Sequence, residues 1–234
     1  MFQELYNRIA RSGITKHPVV RSARRFVSNR LIKQPILVNK SFYMFIEEHQ
    51  PLNILINKTY EPAETASVNR VLKEHMVGLN IGANMGYYSL LMAQKCSKVY
   101  AVEPSLQFYK ILEKNIEANK LNGKIIPYNF ALGKTSGNIK FKAPVGDDIM
   151  EITSVKLVKL DELFKGKPQP DIIVMDVDGA EADVLAGGRK TFANAKHIFF
   201  ENNLGPGFLQ EFRDMGFEVN QIDSMNFYAK KSRK

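Results

Sequence analysis

A single cysteine, Cys96, stands in 234 residues. That excludes an intrachain disulfide and predicts a reducing, cytoplasmic setting. Near the end of a predicted helix, Cys96 reads as filler rather than nucleophile. No run of about 18 apolar residues occurs, so no segment is expected to span a membrane. Met1-Phe2-Gln3-Glu4-Leu5 lacks the apolar core of a secretion signal. Internal repeats and low-complexity tracts are also missing, and the length suits one α/β domain with a full core plus an extension. Histidine is scarce. His75 and His197 fall at the starts of predicted strands, the wrong end of a sheet for catalysis, and His17 and His49 lie in the N-terminal region.

What is abundant is positive charge, and it is unevenly placed. The net charge is +9, of which residues 1–40 carry +8 and the last five residues +4, leaving −3 for residues 41–229. A nucleic-acid enzyme lays positive charge along its substrate groove; here the charge is peripheral, which argues against a nucleic-acid partner. The basic N-terminal segment has helical spacing. Phe2, Leu5 and Ile9 share a face, and after Gly13 and Pro18 so do Val19, Ala23, Phe26/Val27 and Leu31, with the arginines mostly elsewhere. Such a pair can lie peripherally on an anionic membrane, pack as a lid, or bury its stripe on the body and leave a solvated basic face.

The chain is organised around residues 76–104. Met76 to Ile81 reads as a strand, Gly82-Ala83-Asn84-Met85-Gly86 as a tight turn, Tyr87 to about Lys95 as a helix, and Lys98 to Val102 as a second strand closing on Glu103-Pro104. Strand, glycine turn, helix and a carboxylate at the next strand tip form the first half of a nucleotide-cradling α/β fold. The glycines permit a tight turn and close approach to a ligand, and Glu103 is placed to accept two hydrogen bonds from a ribose diol. Counted from Gly82, the third and sixth positions are Asn84 and Tyr87 rather than the glycines of a dinucleotide fingerprint. A bulky pyrophosphate thereby loses its seat. A phosphate-free ligand, adenosine with an amino-acid tail, fits better and points to S-adenosylmethionine.

At these residues the sequence resembles the FkbM-type S-adenosylmethionine-dependent methyltransferases. The resemblance rests on Asn80-Ile81-Gly82-Ala83-Asn84-Met85-Gly86-Tyr87-Tyr88, on Tyr60-Glu61-Pro62-Ala63-Glu64-Thr65 upstream, and on Ala101-Val102-Glu103-Pro104, Asn115, Ala131-Leu132-Gly133 and Leu160-Asp161-Glu162-Leu163 downstream. It ends with Asp176-Val177-Asp178-Gly179-Ala180-Glu181 and Glu201, so it covers residue 60 to the C-terminus. Asn80, Val174 and Asp178 depart from the family's usual Asp, Lys and Glu. The resemblance implies a Rossmann-like class I methyltransferase fold: a mostly parallel seven-stranded sheet with an antiparallel C-terminal edge and helices on both faces. Residues 1–59 would form a basic helical extension with short strands, and residues 60–234 the cofactor-binding domain. It also implies that Glu61 approaches the cofactor or the substrate channel.

Along the rest of the chain, Leu37–Val38, Tyr43–Ile46 and Leu52–Ile56 read as short strands and Thr65–Lys73 as a helix. Ser105 is a plausible N-cap for a helix burying Leu106, Tyr109, Leu112 and Ile116. Lys124–Tyr128 is the third central strand. In this fold the adenine lies near its tip, which makes Asn129 and Phe130 candidates for the ring's edge and face. Residues 134–157 read as a loop-rich excursion with one short strand over 139–141, and Asp147-Asp148 as solvated acids or a substrate contact. Phe208–Asp214 reads as a helix, and Phe217–Ile222 and Phe227–Lys230 as closing strands.

The chemistry is expected at two strand tips, Asp176-Val177-Asp178 after Asp171–Met175 and Glu201-Asn202-Asn203 after His197–Phe200, since both face the ligand crevice of an open sheet. Methyl transfer to a hydroxyl requires the oxygen to be held in line and its proton removed. Asp176 is the candidate general base, with Asp178 and Glu201 beside it. The set Asp176, Glu201 and Asn202 resembles the oxygen ligands of magnesium-dependent small-molecule O-methyltransferases, with Glu for the usual Asp at the second tip; Mg²⁺ there could chelate a diol. Glu181, at a helix start, reads as structural. The cofactor-binding set is therefore Glu61, Asn80, Gly82, Ala83, Asn84, Gly86, Glu103, Asn129 and Phe130. The acceptor implied by the resemblance is a hydroxyl of a sugar, glycan or secondary metabolite. The alternatives are an RNA methyltransferase using the basic N-terminus, against which stands the missing Asn/Asp-Pro-Pro-aromatic motif, and a non-catalytic cofactor-binding module, suggested by Asn80.

Overall fold

The computed structural model describes residues 34–46, 54, 57–144 and 150–232. The basic amphipathic segment, His49 and Asp147-Asp148 lie outside them. A hairpin of β1 (Ile36–Val38) and β2 (Phe42–Met44) leads to α1 (Pro62–Val71), β3 (Val77–Ile81), α2 (Tyr87–Ala93), β4 (Lys98–Val102), α3 (Leu106–Ala118) and β5 (Ile125–Tyr128). After β6 (Ala131–Leu132) come β7 (Gly137–Pro144), β8 (Met150–Val158), α4 (Leu160–Leu163), β9 (Ile172–Met175), α5 (Glu181–Gly187) and α6 (Arg189–Asn194). The chain closes with β10 (His197–Glu201), α7 (Pro206–Asp214), β11 (Phe217–Gln221) and β12 (Asn226–Lys231).

Seven strands form the main sheet in the order β11-β12-β10-β9-β3-β4-β5. The pairs among β10, β9, β3, β4 and β5 are parallel, and β12 runs antiparallel to both β10 and β11. The expected sheet with its antiparallel edge is present. Both faces are buried because successive side chains point opposite ways. Ile172, Val174 and Phe199 join one cluster with α1, α2, α3 and the β1–β2 hairpin. Ile173, Met175, Ile198 and Phe200 join the other with α4, α5, α6 and α7.

Local chemistry explains the elements. Ser105 Oγ caps α3 by accepting from Phe108 N–H, and Ile111, Leu112 and Ile116 form its buried stripe. Leu106, expected in that stripe, is exposed at the first position of the helix. Helix α2 approaches the sheet through Gly78: a Cβ there would lie 3.0 Å from Met92 Sδ and 3.6 Å from Cys96 Sγ. The close helix–strand contact that a dinucleotide fold takes from its third glycine is supplied here from the strand. Cys96 is buried, and burial pushes its thiol up to about 11, as a packing role requires. The β1–β2 hairpin is tied to α3 by the Asn115 and Asn119 side chains, which bond the backbone of Phe45 and Tyr43.

Two further expectations differ from the structure. Residues 134–157 are not loop-rich: β7 and β8 form a long antiparallel hairpin, joined by β6 into a separate three-stranded sheet. The alternation Ile139-Lys140-Phe141-Lys142 continues through the whole of β7, beyond the short strand expected. Within Leu52–Ile56, Ile54 is helical rather than extended, its carbonyl accepting from Lys58 N–H at 3.0 Å. A short apolar run fits either period.

The strand order reverses between β3 and β9, the chain running outward through β4 and β5 on one side and β10 on the other. Open α/β sheets bind ligands at that switch point, beyond the carboxyl ends of the strands. Gly82 and Asp176 stand there.

Candidate active site

The turn after β3 is built on backbone bonds. Gly82 and Ala83 N–H donate to Val102 O at 3.0 and 2.9 Å, and Gly86 N–H to Ala83 O at 2.8 Å. Gly82 and Gly86 adopt φ of 74° and 95°, where a side chain would be strained, and Asn84 holds a left-handed φ of 50°. Asn84 N–H then donates to Glu103 Oε2 at 2.7 Å, and Ser105 N–H to Oε1 at 2.8 Å. Glu103 is 6% exposed. Burial pushes its carboxyl up to about 7, against the pull of those two amides. Below the turn, Asn129 Nδ2 donates to the carbonyls of Glu103 and Pro104 at 2.9 and 3.0 Å.

These groups border a cleft of about 740 Å³ whose walls include Gly82, Asn84, Glu103, Phe130, Asp176 and Asp178. Ile139, Phe141 and Leu157 of the β7–β8 hairpin close its side. On the far side of the glycine turn is a smaller recess of about 50 Å³, walled by Tyr60, Asn80, Ala83, Tyr88 and Asp176 among others. Asn80 is buried and donates from Nδ2 to Ser89 Oγ at 2.9 Å.

Asp176, Asp178 and Glu201 bring carboxylate oxygens within 4.8 Å of one another. The β9 tip places the first two; Asp178 has a left-handed φ of 49° and Gly179 one of 100°, so the chain doubles back over the tip. Burial, then the charge and hydrogen bond of Glu201, pushes Asp176 up to about 8. Among the described residues no ion pair reaches these three carboxylates. Asn202 is engaged elsewhere: its Oδ1 accepts from Leu204 N–H and its Nδ2 donates to Gly205 O, closing the loop before α7.

Four further residues border this acidic region. Tyr88 Oη lies 3.0 Å from Glu61 Oε2 and 2.6 Å from Glu64 Oε2. Burial, followed by its bond to Glu61, pushes Glu64 up to about 9. The Tyr60 and Tyr88 phenols are both raised, first by burial and then by surrounding carboxylates that include Glu61 and Glu64.

The structure therefore brings Gly82, Asn84, Glu103, Phe130, Asp176 and Asp178 to one cleft, Asn80 and Ala83 to the adjoining recess, and Glu201 beside Asp176. It gives other work to three residues expected at the ligand. Gly86 makes room for α3, since a Cβ there would lie 2.5 Å from Leu112 Cδ1. The Asn129 amide braces the Glu103 backbone, and Asn202 closes its loop. Glu181 accepts from Gly179 N–H, in keeping with a structural role. Tyr60, Glu64 and Tyr88 were not singled out by sequence reasoning; the signal was two consecutive tyrosines after the glycine turn and two acids three residues apart in the upstream motif.

The sequence model described as the Methyltransferase FkbM domain matches residues 77–226. A hexuronic acid methyltransferase, AglP of Haloferax volcanii, is 26% identical over 135 residues, covering 54% of this chain and 55% of that protein. The match thus spans about half the length of this curated relative. Among solved structures, an FkbM methyltransferase from Methylobacillus flagellatus superposes with a TM-score of 0.52 at 15% identity, covering 77% of this chain and 48% of the other. The M. jannaschii tRNA m1G37 methyltransferase gives 0.53 at 14% identity, with 86% and 57% covered. At these identities the superpositions establish the fold alone. Among the described residues no helix is long and apolar enough to cross a membrane.

Proposed function

Because the chain belongs to the FkbM methyltransferase family, we propose that it is an S-adenosylmethionine-dependent O-methyltransferase acting on a hydroxyl of a sugar or glycan. The observation that carries this reading is the placing, on the walls of one cleft, of the Glu103 seat and of Asp176, whose carboxyl burial and the neighbouring Glu201 push up to about 8.

The residues present fit the cofactor. Each Glu103 oxygen takes one backbone amide, and a carboxylate oxygen has capacity for a second donor. Both oxygens can therefore also receive a ribose hydroxyl. Phe130 and Leu132 provide apolar walls for an adenine ring. Among the described residues, those walling the recess past Gly82 offer acceptors and hydroxyls but no cation, which suits an ammonium and a sulfonium. When bound, S-adenosylmethionine supplies an electrophilic methyl group.

The chain's own residues do the rest. Asp176, with its carboxyl raised to about 8, is poised near working pH to take the acceptor hydroxyl's proton. The neighbouring Glu201 and Asp178 add negative potential beside Asp176 that favours the proton's transfer to it from the acceptor once Asp176 is ionised. The β7–β8 hairpin screens one side of the cleft from water. A sugar acceptor is supported by the relative named for hexuronic acid. Mg²⁺ remains a proposal on donor chemistry: Asp176, Asp178 and Glu201 are hard oxygen ligands, whereas the Asn202 amide is committed to its loop. In the nucleic-acid reading, the basic segment that would bind RNA lies outside the described residues.

The test uses methyl-labelled S-adenosylmethionine with neutral and uronic-acid oligosaccharides, with RNA, and with magnesium or chelator. Label in a saccharide, lost in Asp176→Ala, is expected. Label confined to RNA overturns the acceptor class, and equal rates with chelator remove the metal.

A further inference from the structure

Glu61 stands where it could cap α1, yet its side chain makes no capping bond. From a left-handed backbone at φ 39° its carboxylate turns to α2, meeting the Tyr88 hydroxyl at 3.0 Å. The same hydroxyl lies 2.6 Å from Glu64, one turn further along α1 and 3% exposed. A hydroxyl has one proton and cannot donate to two carboxylates at once. The network closes only if another proton enters it. Glu64 supplies that proton at neutral pH, since burial and its bond to Glu61 push its carboxyl up to about 9.

Buried acids are ordinarily paired with a cation. Among the described residues, no salt bridge reaches Glu61 or Glu64. Among the described residues, the groups that face Glu64 are Glu61 from the head of its own helix, Tyr88 from α2 and Asp176 from the tip after β9; Glu201 of β10 acts on the neighbouring Tyr60. All are acids or phenols. The position of α1, by contrast, has a separate anchor. Tyr87 Oη lies 3.0 Å from Thr59 Oγ1 and 3.1 Å from Thr65 Oγ1, and Thr65 Oγ1 donates to Tyr60 O. The placing of the helix thus does not rest on Glu64 alone, and its buried hydrogen bonds leave room for another purpose.

Resting on the cofactor reading above, we infer that Glu64 is a positioning residue for the cofactor's cationic methionyl end. It touches no ligand. With Tyr88, which walls the recess beside Tyr60 and Asn80, it fixes the Glu61 carboxylate 3.0 Å behind the Tyr88 hydroxyl, so that a cation entering the recess finds that negative charge already oriented.

The experiment measures binding of S-adenosylhomocysteine, the cofactor's demethylated form, by calorimetry near neutral pH on the full chain, with melting curves alongside. Glu64→Gln supplies a donor for Glu61 and an acceptor for Tyr88, and is expected to bind within about twofold of the unmodified chain. Glu64→Leu fills the space without polar groups. It is expected to melt at or above the unmodified temperature, because an apolar group replaces a buried acid, while its affinity falls about tenfold. Unchanged affinity in Glu64→Leu overturns the inference. So does a loss in Glu64→Gln as large as in Glu64→Leu, or a drop in melting temperature that accompanies the affinity loss. Absence of binding in the unmodified chain would instead sink the cofactor reading itself.

Discussion

Gly82 sits directly against the backbone of Asp176: a Cβ on Gly82 would lie 1.7 Å from the Asp176 carbonyl oxygen. The glycine turn proposed to hold the cofactor and the tip carrying the proposed base are thus in contact through a position that admits no side chain. Asp176 N–H also donates to Ile81 O at 3.0 Å, so the two strand ends are locked in register.

Gly82→Ala must displace one of these two tips. A left-handed φ costs a side chain about 1–2 kcal/mol, and the overlap with the carbonyl adds to it. A loss of roughly 3 kcal/mol is expected, lowering Tm by roughly 6–12 °C. Methyl transfer should fall even at temperatures where the variant is folded. A variant with unaltered Tm and turnover would show that the two tips do not depend on each other.

Asp176→Asn keeps the shape of the tip and removes the proposed base. Turnover is expected to drop by about 10²–10⁴, with S-adenosylhomocysteine affinity within about threefold of the unmodified chain. The variant should also melt higher, because a carboxyl penalised by burial and by the charge of Glu201 is replaced by an amide. Turnover close to the unmodified rate would remove Asp176 from the reaction.

Activity and stability should run in opposite directions with pH. Asp176 must lose its proton to act, so kcat/KM is expected to rise to a plateau through about pH 8. Glu103, Asp176 and Glu64 have folded-state values of about 7, 8 and 9, all above those of the unfolded chain. The folded state therefore holds more protons, and stability falls as pH rises through that window. Thermal melts from mildly acidic to alkaline buffer check the decline. A Tm that climbs with pH would mean that these acids are not raised.

Asn80→Asp would place a charge where the family usually has one. Asn80 donates to Ser89, and in the variant that hydroxyl can reverse and donate instead. S-Adenosylmethionine is expected to bind about fivefold more tightly, the difference between a neutral and a charge-assisted bond. The neighbouring acids limit the gain by raising the new carboxyl's affinity for a proton. Calorimetry that finds equal or weaker binding would leave Asn80 without this account.

Much of this was legible in the sequence, because strong local signals coincide with the fold's own logic. The strand–turn–helix–strand of residues 76–104, the two apolar runs ending in Asp176 and Glu201, and the closing strands all have unambiguous period and punctuation. Errors arose where the signal is short or the partner remote. Ile54 sits in an apolar run that fits a helix as well as a strand. Asn129 and Asn202 carry side chains suited to ligands, yet each finds backbone partners that only the folded loop brings near. The Glu64–Tyr88 contact joins residues 24 apart and exists because α1 lies over α2; nothing local announces it. The β7 strand was cut short because the expected strand ended at Phe141 while the strand runs on to Pro144.

The two outermost strands bear on how copies of this chain can associate. At one border, β11 is half polar, with Glu218, Asn220 and Gln221 along five residues. At the other, Tyr128 turns its carbonyl inward to Glu103 N–H, so alternation along β5 directs the nitrogen of Pro127 outward, where it has no hydrogen to offer. Neither border is a good template for a further strand. Higher-order assembly of this protein, where it occurs, is expected to pair helical surfaces and to leave the sheet at seven strands.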